Sequence, residues 1–458
     1  MKKKILAVLL AASMVGSLAA GCGKSNADTE TDTSETKTET KMADASELDG
    51  TTITFWHSMG GVNGEAIDTL VDKFNSENEY GITVDAQYQG EYDDTINKLK
   101  SAQMGNMGAD LVQIYEIGTR FMVESGWITP MQDMIDQDSY DLSQIEPNLA
   151  AYYTINDQLY SMPFNSSTPI MYYNKDMFDA AGVTDIPTSL EGIQKVGQQL
   201  IDKGGAGEAL SMGIYGWFFE ELICKQALNY ANNGNGREEA ATEVEFDSNG
   251  AAANILTQWK ALSDAGLAPN VGRGGDSGLA DFSAGKAAIT LGSTASLKQI
   301  LQDVNGKFEV GTAYFPSVKD SDEGGVSIGG ASLWALNNND SKKTSATWEF
   351  IKFLISPESQ AYWNAQTGYF PVTTAAQDEQ IFKDNVAKYP QFETAIDQLH
   401  DSKPENTGAL LSVFPEAREI VETEIESTLS GKQSVDDAVS NMASKINDSI
   451  KEYNLVNE

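Results

Sequence analysis

TTITFWHSMGGVNGEAIDTLVDKFNSENEYGITVDAQYQGEYDDTINKLKSAQMGNMGADLVQIYEIGT occupies residues 51–119, and its hydrophobic period switches repeatedly between that of a strand and that of a helix. TTITFWHS (51–58) alternates as a half-buried strand does. GEAIDTLVDKFNSEN (64–78) places Ile67, Leu70, Val71 and Phe74 on one helical face. GITVDAQYQG (81–90) is a second strand, EYDDTINKLKSAQMGN (91–106) a second helix and ADLVQIYEIGT (109–119) a third strand. Strands alternating with helices in this way predict a parallel sheet with right-handed crossovers. Ligands of such sheets sit beyond the carboxyl ends of the strands. The segments just past those ends are HSMGG, QGEYDD and YEIGT, and Tyr92 and Glu116 lie in two of them.

Further along, SMPFNSSTPIMYYNKDMF (161–178) reads as a strand followed by a helix from about Lys175. Asn165, Ser166, Ser167 and Thr168 stand in a row at the mouth of its apolar run, and each needs a hydrogen-bond partner if buried. Residues 189–203 read as a helix. GIYGWFFEELICKQAL (213–228) reads as a helix entry with exposed aromatics, and NGAAANILTQWKALSDAG (249–266) as an amphipathic helix. FSAGKAAITLGSTASLKQI (282–300) is strand, turn and helix. It puts Ser293 at a helix N-terminus, which suits either a plain cap or an anion site. GGVSIGGASLWAL (324–336) is a strand whose glycine pair, Gly329 and Gly330, marks a bulge or a close approach. The chain beyond Ser341 is mostly helical, and no repeat of fixed period occurs.

The 458 residues exceed one ordinary core, so two domains are expected. A formal charge of -36 repels nucleic acid and anionic membrane surfaces, and it suits solubility outside the cell. An anionic ligand then needs a pocket whose local donors overcome the general field. With two cysteines and two histidines, the chain offers no Cys/His metal cluster and no disulfide framework. Nucleophilic triads would have to recruit His57 or His400. Zincin, Walker A and dinucleotide glycine motifs are absent. The expectation is therefore a protein without catalysis, metal or cofactor. An extracellular glycoside hydrolase working with carboxylates alone is the enzyme class that survives this test.

Residues 1–22 have a basic start, a short apolar run and small residues before a cysteine, which is a secretory signal rather than a spanning helix. The ending Leu18-Ala19-Ala20-Gly21-Cys22 resembles the lipobox of bacterial lipoproteins, with Ala19 a mild departure. It implies a lipidated Cys22 and attachment to the outer face of the cell membrane. Cys224 is then a lone buried thiol. Residues 23–47, almost wholly Thr, Glu, Asp, Ser, Ala and Lys, are expected to form a disordered acidic linker.

TFWHSMGG, LVQIYEIGT, PFNSSTPIMYYNKDMF, IGGASLWAL, QTGYFPV and GKQSVDDAV resemble the extracellular solute-binding proteins of carbohydrate-type ABC importers, on the glycerol-3-phosphate-binding branch. The resemblance spans residue 51 to the C-terminus. It implies an α/β, two-lobed fold of the periplasmic-binding-protein type II kind with an interlobe cleft. It implies a first lobe of 48–163 plus 291–340 and a second of 164–290 plus 341–458. The chain would cross between them near Met162-Pro163. Partners are expected to be a small-molecule ligand and the transmembrane subunits of an ABC permease, with the protein itself a monomer.

At matching motif positions the resemblance implies ligand contacts from Tyr92, Glu116, Ser167, Ser293, Gly330, Tyr369 and Arg418. Trp217 matches a family tryptophan that packs on the ligand's carbon skeleton. The family's other tryptophan, three residues earlier, is Ile214 here, which is expected to widen the pocket and favour a glycerophosphodiester such as glycerophosphocholine. A phosphate ester carries many acceptor oxygens, and Ser167, Ser293, the Gly330 N–H, Tyr369 and the Arg418 fork can all donate to it. Glu116 accepts from glycerol hydroxyls and Tyr92 completes that end. Glu116 is expected away from the phosphate, which it would repel. A neutral oligosaccharide is the alternative ligand. Trp56, Trp334, Trp348 and Trp363 are expected in the core, and His57 as a satisfied loop histidine.

Overall fold

The computed structural model describes residues 40–105, 108–402 and 407–457. The signal, Cys22 and the linker as far as residue 39 lie outside the described residues. The last part of the expected linker is not a leash. Thr40 Oγ1 donates to Asp133 Oδ2 at 2.8 Å, and the Ala43 N–H donates to Ser345 Oγ at 2.8 Å. Ser345 Oγ donates back to the Ala43 carbonyl at 3.0 Å, and Ala45–Glu47 forms a 3-10 turn. The linker expectation weighed only apolar area, whereas hydrogen bonds hold residues 40–47.

Two sheets carry the fold among the described residues. In chain order their strands are β1 (Thr52–His57), β2 (Thr83–Tyr88), β3 (Leu111–Tyr115), β4 (Met162–Ser167), β5 (Pro169–Asn174), β6 (Glu208–Ser211), β7 (Ala287–Ser293), β8 (Val310–Tyr314) and β9 (Gly329–Ala335). The first sheet runs β2-β1-β3-β9-β4 and the second β8-β5-β7-β6. β1 pairs parallel with β2 and β3, as the strand–helix alternation predicts, through crossover helices α1 (Gly61–Glu77) and α2 (Tyr92–Gln103). Ile67, Leu70, Val71 and Phe74 of α1 are buried, confirming the stripe. β3 is buried along its whole length, because it lies between β1 and β9 with both faces covered. β9 runs antiparallel to β3 and β4. Pro163 has no N–H to give, and it fits because β4 is the outer strand and its register with β9 shifts beside it.

The chain divides between the sheets differently from the expected lobes. The stretch 161–178 holds two strands, not one. β4 stays in the first sheet to Ser167 and β5 opens the second at Pro169. The crossing expected near Met162-Pro163 therefore falls at Thr168. β8 lies in the second sheet, so only the later part of 291–340 joins the first. Helices Ser341–Leu354 and Pro357–Thr367 pack on the first sheet, not the second: Trp348, Phe350, Ile351 and Trp363 share a core with Ile53 and Phe55. Periodicity reveals an apolar stripe without revealing which sheet the stripe covers.

The second core gathers α3 (Gly216–Cys224), the helix Ala251–Asp264, α4 (Phe414–Leu429) and the helix Val435–Asn457. The aromatics of α3, expected to be exposed, are buried: Phe219 packs edge-on against Phe246 and Tyr230. Apart from Glu220 and Glu221 this helix is apolar on every side, and such a helix belongs inside. Trp334, Trp348 and Trp363 are core residues, whereas Trp56 is half-buried with its Nε1–H on Gln87 Oε1 at 3.1 Å. Cys224 is buried, and burial pushes its thiol pKa well up.

Candidate functional site

The carboxyl ends of β1, β2, β3 and β4 share one edge of the first sheet, and the amino end of the antiparallel β9 meets them there. Gly329 pairs with Ser167 and Ala331 with Tyr115. A cleft of about 900 Å³ opens beyond that edge. Tyr92, Glu116, Ser167, Trp217, Ser293, Gly330, Tyr369 and Arg418 all line it. Four of these stand on or beside the first sheet's edge, Tyr92, Glu116, Ser167 and Gly330, while Trp217, Ser293 and Arg418 come from the second body. No helix among the described residues is long and apolar enough to cross a membrane.

Local sequence explains each placement. Tyr92 is the first residue of α2, whose start is fixed by Asp94 Oδ2 accepting from the Glu91 N–H at 3.2 Å. Glu116 leaves β3 in a 3-10 turn, so its carboxylate projects past the sheet edge. Ser293 ends β7 and its Oγ accepts from the Ala295 N–H at 3.2 Å, leaving its hydroxyl hydrogen free to donate. The longer helix begins only after the turn Thr294–Ser296, so Ser293 caps a turn rather than that helix. Gly330 has φ 95°, and a Cβ there would lie 2.0 Å from the Asn165 carbonyl oxygen. A Cβ on Gly329 would meet the Trp217 ring at 2.5 Å. The glycine pair thus makes room for protein groups on both sides.

Two side chains of the polar run 165–168, those of Asn165 and Thr168, are already partnered within the protein. Asn165 Oδ1 accepts from Gln113 Nε2 at 2.6 Å and its Nδ2 donates to the Tyr92 hydroxyl at 2.9 Å. Gln113 Oε1 in turn accepts from the Ser58 N–H at 2.8 Å. The Tyr369 hydroxyl joins Tyr92 and Asn165, and burial pushes the pKa of both tyrosines up. Thr168 donates its N–H to Thr294 Oγ1 at 3.2 Å and accepts from Gln398 Nε2 at 3.1 Å. Ser166 Oγ is buried with no partner. Only Ser167 of the run lines the cleft.

Among the described residues Arg418 is the only Lys or Arg lining the cleft, and it sits between two carboxylates. Its Nε and Nη2 donate to the two oxygens of Glu220 at 2.7 and 2.8 Å, and Nη2 donates to Glu116 Oε1 at 2.7 Å. The side chains of Arg418, Glu116 and Glu220 are 9%, 7% and 14% exposed. Burial works against the Arg418 charge, but Glu220 and Glu116 outweigh it and hold the pKa well above the ordinary value. Burial pushes Glu220 up, with Arg418 pulling it back. Glu116 thus touches Arg418, one of the expected phosphate donors, directly. The guanidinium also lies over the Tyr215 ring, 5.8 Å from its centre.

Ile214 does not widen the wall. It is fully buried and not part of the cleft, its N–H bonded to the Gly272 carbonyl at 2.8 Å, and the adjacent Tyr215 lines the cleft instead. Tyr215, Tyr115 and Glu220 are not among the residues that the sequence singles out. Glu220 falls three residues after Trp217, which puts both on one face of α3, and that spacing was the available signal. Tyr115 stacks on Tyr92 at 5.3 Å and donates to Asp93 Oδ1 at 2.6 Å. His57 is buried at the end of β1 and accepts from the Met59 N–H at 3.3 Å. Burial lowers its pKa to about 4, so it is neutral.

Residues 69–394 match the family of bacterial extracellular solute-binding proteins. Over 419 residues the chain is 32% identical to the sn-glycerol-3-phosphate-binding periplasmic protein UgpB of Escherichia coli (strain K12), covering 88% of this chain and 93% of that one. Among solved structures it is similar to UgpB from Mycobacterium tuberculosis in complex with glycerophosphocholine, with TM-score 0.74, 23% identity, and 88% and 99% of the two chains covered. It is also similar to the GacH receptor of Streptomyces glaucescens GLA.O, solved unliganded and with acarbose, with TM-score 0.72, 20% identity and 87% and 98% covered. These structures share the two-lobed α/β fold.

Proposed function

This chain belongs to the bacterial extracellular solute-binding proteins, and on that premise we propose that it captures sn-glycerol 3-phosphate or a glycerophosphodiester such as glycerophosphocholine in the interlobe cleft. It hands the ligand to the membrane subunits of an ABC importer and does no chemistry itself. The observation that carries this reading is the gathering of all eight motif-matched residues on one cleft, drawn from both bodies of the fold. Ser167, Ser293, Tyr369 and the Gly330 N–H are neutral donors suited to phosphate oxygens, and Arg418 adds the charge. Glu116 and Tyr92 receive glycerol hydroxyls, and Trp217 packs against the carbon skeleton. A lipid on Cys22 keeps the protein at the outer face of the membrane. Because only closure lets both bodies touch one ligand, binding closes the cleft.

Titration calorimetry with sn-glycerol 3-phosphate, glycerophosphocholine and maltose tests the reading. Heat with either phosphate compound supports it, and heat with maltose alone defeats it. One observation favours a neutral oligosaccharide as the second reading: the charge of Arg418 is already matched by Glu116 and Glu220, in a cleft lined by Tyr88, Tyr92, Tyr115, Tyr215 and Trp217.

A further inference from the structure

Arg418 brings one positive charge into the cleft, and two carboxylates have taken it. Glu220 holds it with both oxygens and Glu116 with one, leaving Nη1 as the guanidinium nitrogen without a protein partner among the described residues. The trio carries a net charge of -1 by simple addition of Arg418, Glu116 and Glu220. Among the described residues the rest of the cleft lining adds Glu91, Asp276 and Asp303 and no further Lys or Arg. The other titratable groups around the guanidinium are Tyr215 beneath it, Tyr115 on β3, Glu221 on α3, Tyr230 beyond it, and Glu416, Glu419 and Glu422 on α4, the last accepting from the Gly216 N–H at 2.9 Å, with Asp93 and Lys100 of α2 along an adjoining groove that Arg418 also lines. Lys100 is the one cation among these, and it lines the adjoining groove rather than the cleft.

Resting on the glycerol-phosphate reading above, we propose that the cleft selects by the charge of the phosphate. A singly charged phosphodiester is preferred over a doubly charged phosphomonoester, and Glu220 sets the preference through its two-oxygen hold on Arg418. The reason is electrostatic. A monoester carries about -1.5 to -2 at neutral pH, and its second charge would enter a buried space where the one guanidinium is already neutralised twice over. A diester keeps a single charge, which the neutral donors Ser167, Ser293 and Tyr369 and the free Nη1 can satisfy. Glu220 is a positioning residue here: it acts through Arg418 rather than on the ligand.

The experiment compares sn-glycerol 3-phosphate with its methyl ester, a diester differing by one small uncharged group, by calorimetry on the purified protein. At about pH 8 the monoester is a dianion, and the methyl ester is expected to bind at least about tenfold more tightly. Lowering the pH to about 5.5, below the second phosphate ionisation, should narrow the ratio. The diester, whose charge is constant over that range, reports any change in the protein's own groups. Glu220→Gln should narrow the ratio at the higher pH by strengthening the monoester. Equal or tighter binding of the monoester at about pH 8 overturns the proposal. So does a ratio that neither the pH change nor Glu220→Gln moves, and the pH arm stands even where the variant fails to fold. If maltose binds and neither phosphate compound does, the glycerol-phosphate reading itself falls, and this inference falls with it.

Discussion

Glu116 and Arg418 meet across the cleft, Oε1 to Nη2 at 2.7 Å, although 302 residues separate them in the chain. Glu116 leaves the edge of the first sheet and Arg418 rides on α4 in the second body, so the ion pair joins the two halves of the molecule.

Removing Arg418 therefore has two effects. Arg418→Ala should weaken binding of the glycerol phosphate compound by about 2–5 kcal/mol, as for loss of a buried charged contact. It also leaves Glu116 and Glu220 buried without a counter-charge, so denaturant unfolding should show a loss of about 3–5 kcal/mol. Arg418→Lys keeps the charge but not the planar fork. It should recover much of the stability and less of the affinity. A dissociation constant unchanged in both variants removes Arg418 from the site.

Glu221, next to Glu220 on α3, is fully buried, and one oxygen accepts from the Ser327 N–H at 2.8 Å while the other has no partner. Burial, with repulsion from Glu220 and Glu116, raises its pKa well above the ordinary 4.5. Folding therefore favours the protonated acid. That contribution is fully present below 4.5 and is lost as pH rises through the raised value. Glu221→Gln should stabilise the protein by about 1–3 kcal/mol in mildly alkaline buffer and flatten the decline with pH. Parallel melting curves for the two proteins across the pH range would contradict this.

Gly330 combines φ 95° with a Cβ position 2.0 Å from a carbonyl oxygen. Gly330→Ala should lose at least about 1–3 kcal/mol through strain alone, with the clash in addition. Urea denaturation reads this directly, and an unshifted midpoint would mean that the backbone at this strand start relaxes freely.

Asn165 is the joint between Gln113 and the Tyr92 hydroxyl. Asn165→Leu strands a buried amide and should cost about 1–3 kcal/mol in stability. Because Tyr92 loses its anchor, affinity should drop as well. Wild-type affinity in a destabilised variant would show that the Tyr369 hydroxyl and the stack on Tyr115 suffice to hold Tyr92.

How much of this was legible in the residues follows from what each signal measures. The first sheet was readable because α1 and the strands around it carry clean periodicities, 67-70-71-74 in the helix and alternation in β1. Tyr92 and Glu116 followed from the rule about carboxyl ends of parallel strands. Membership of the second sheet by β8, and of the first by the helix Ser341–Leu354, was not readable, since an amphipathic stripe does not name its partner. The role of Glu220 was hidden for a related reason. Its meaning depends on Arg418, 198 residues away, and no local pattern joins them. Ile214 misled because Tyr215, one position on, is the residue that turns toward the cleft.

Thr168 alone separates β4 from β5, and it is bonded on both sides, to Thr294 and to Gln398. So short a link, tied at both its N–H and its hydroxyl, leaves the chain no slack between the two sheets. Ser167, its immediate neighbour, is thereby held in the cleft where the chain passes from one sheet to the other.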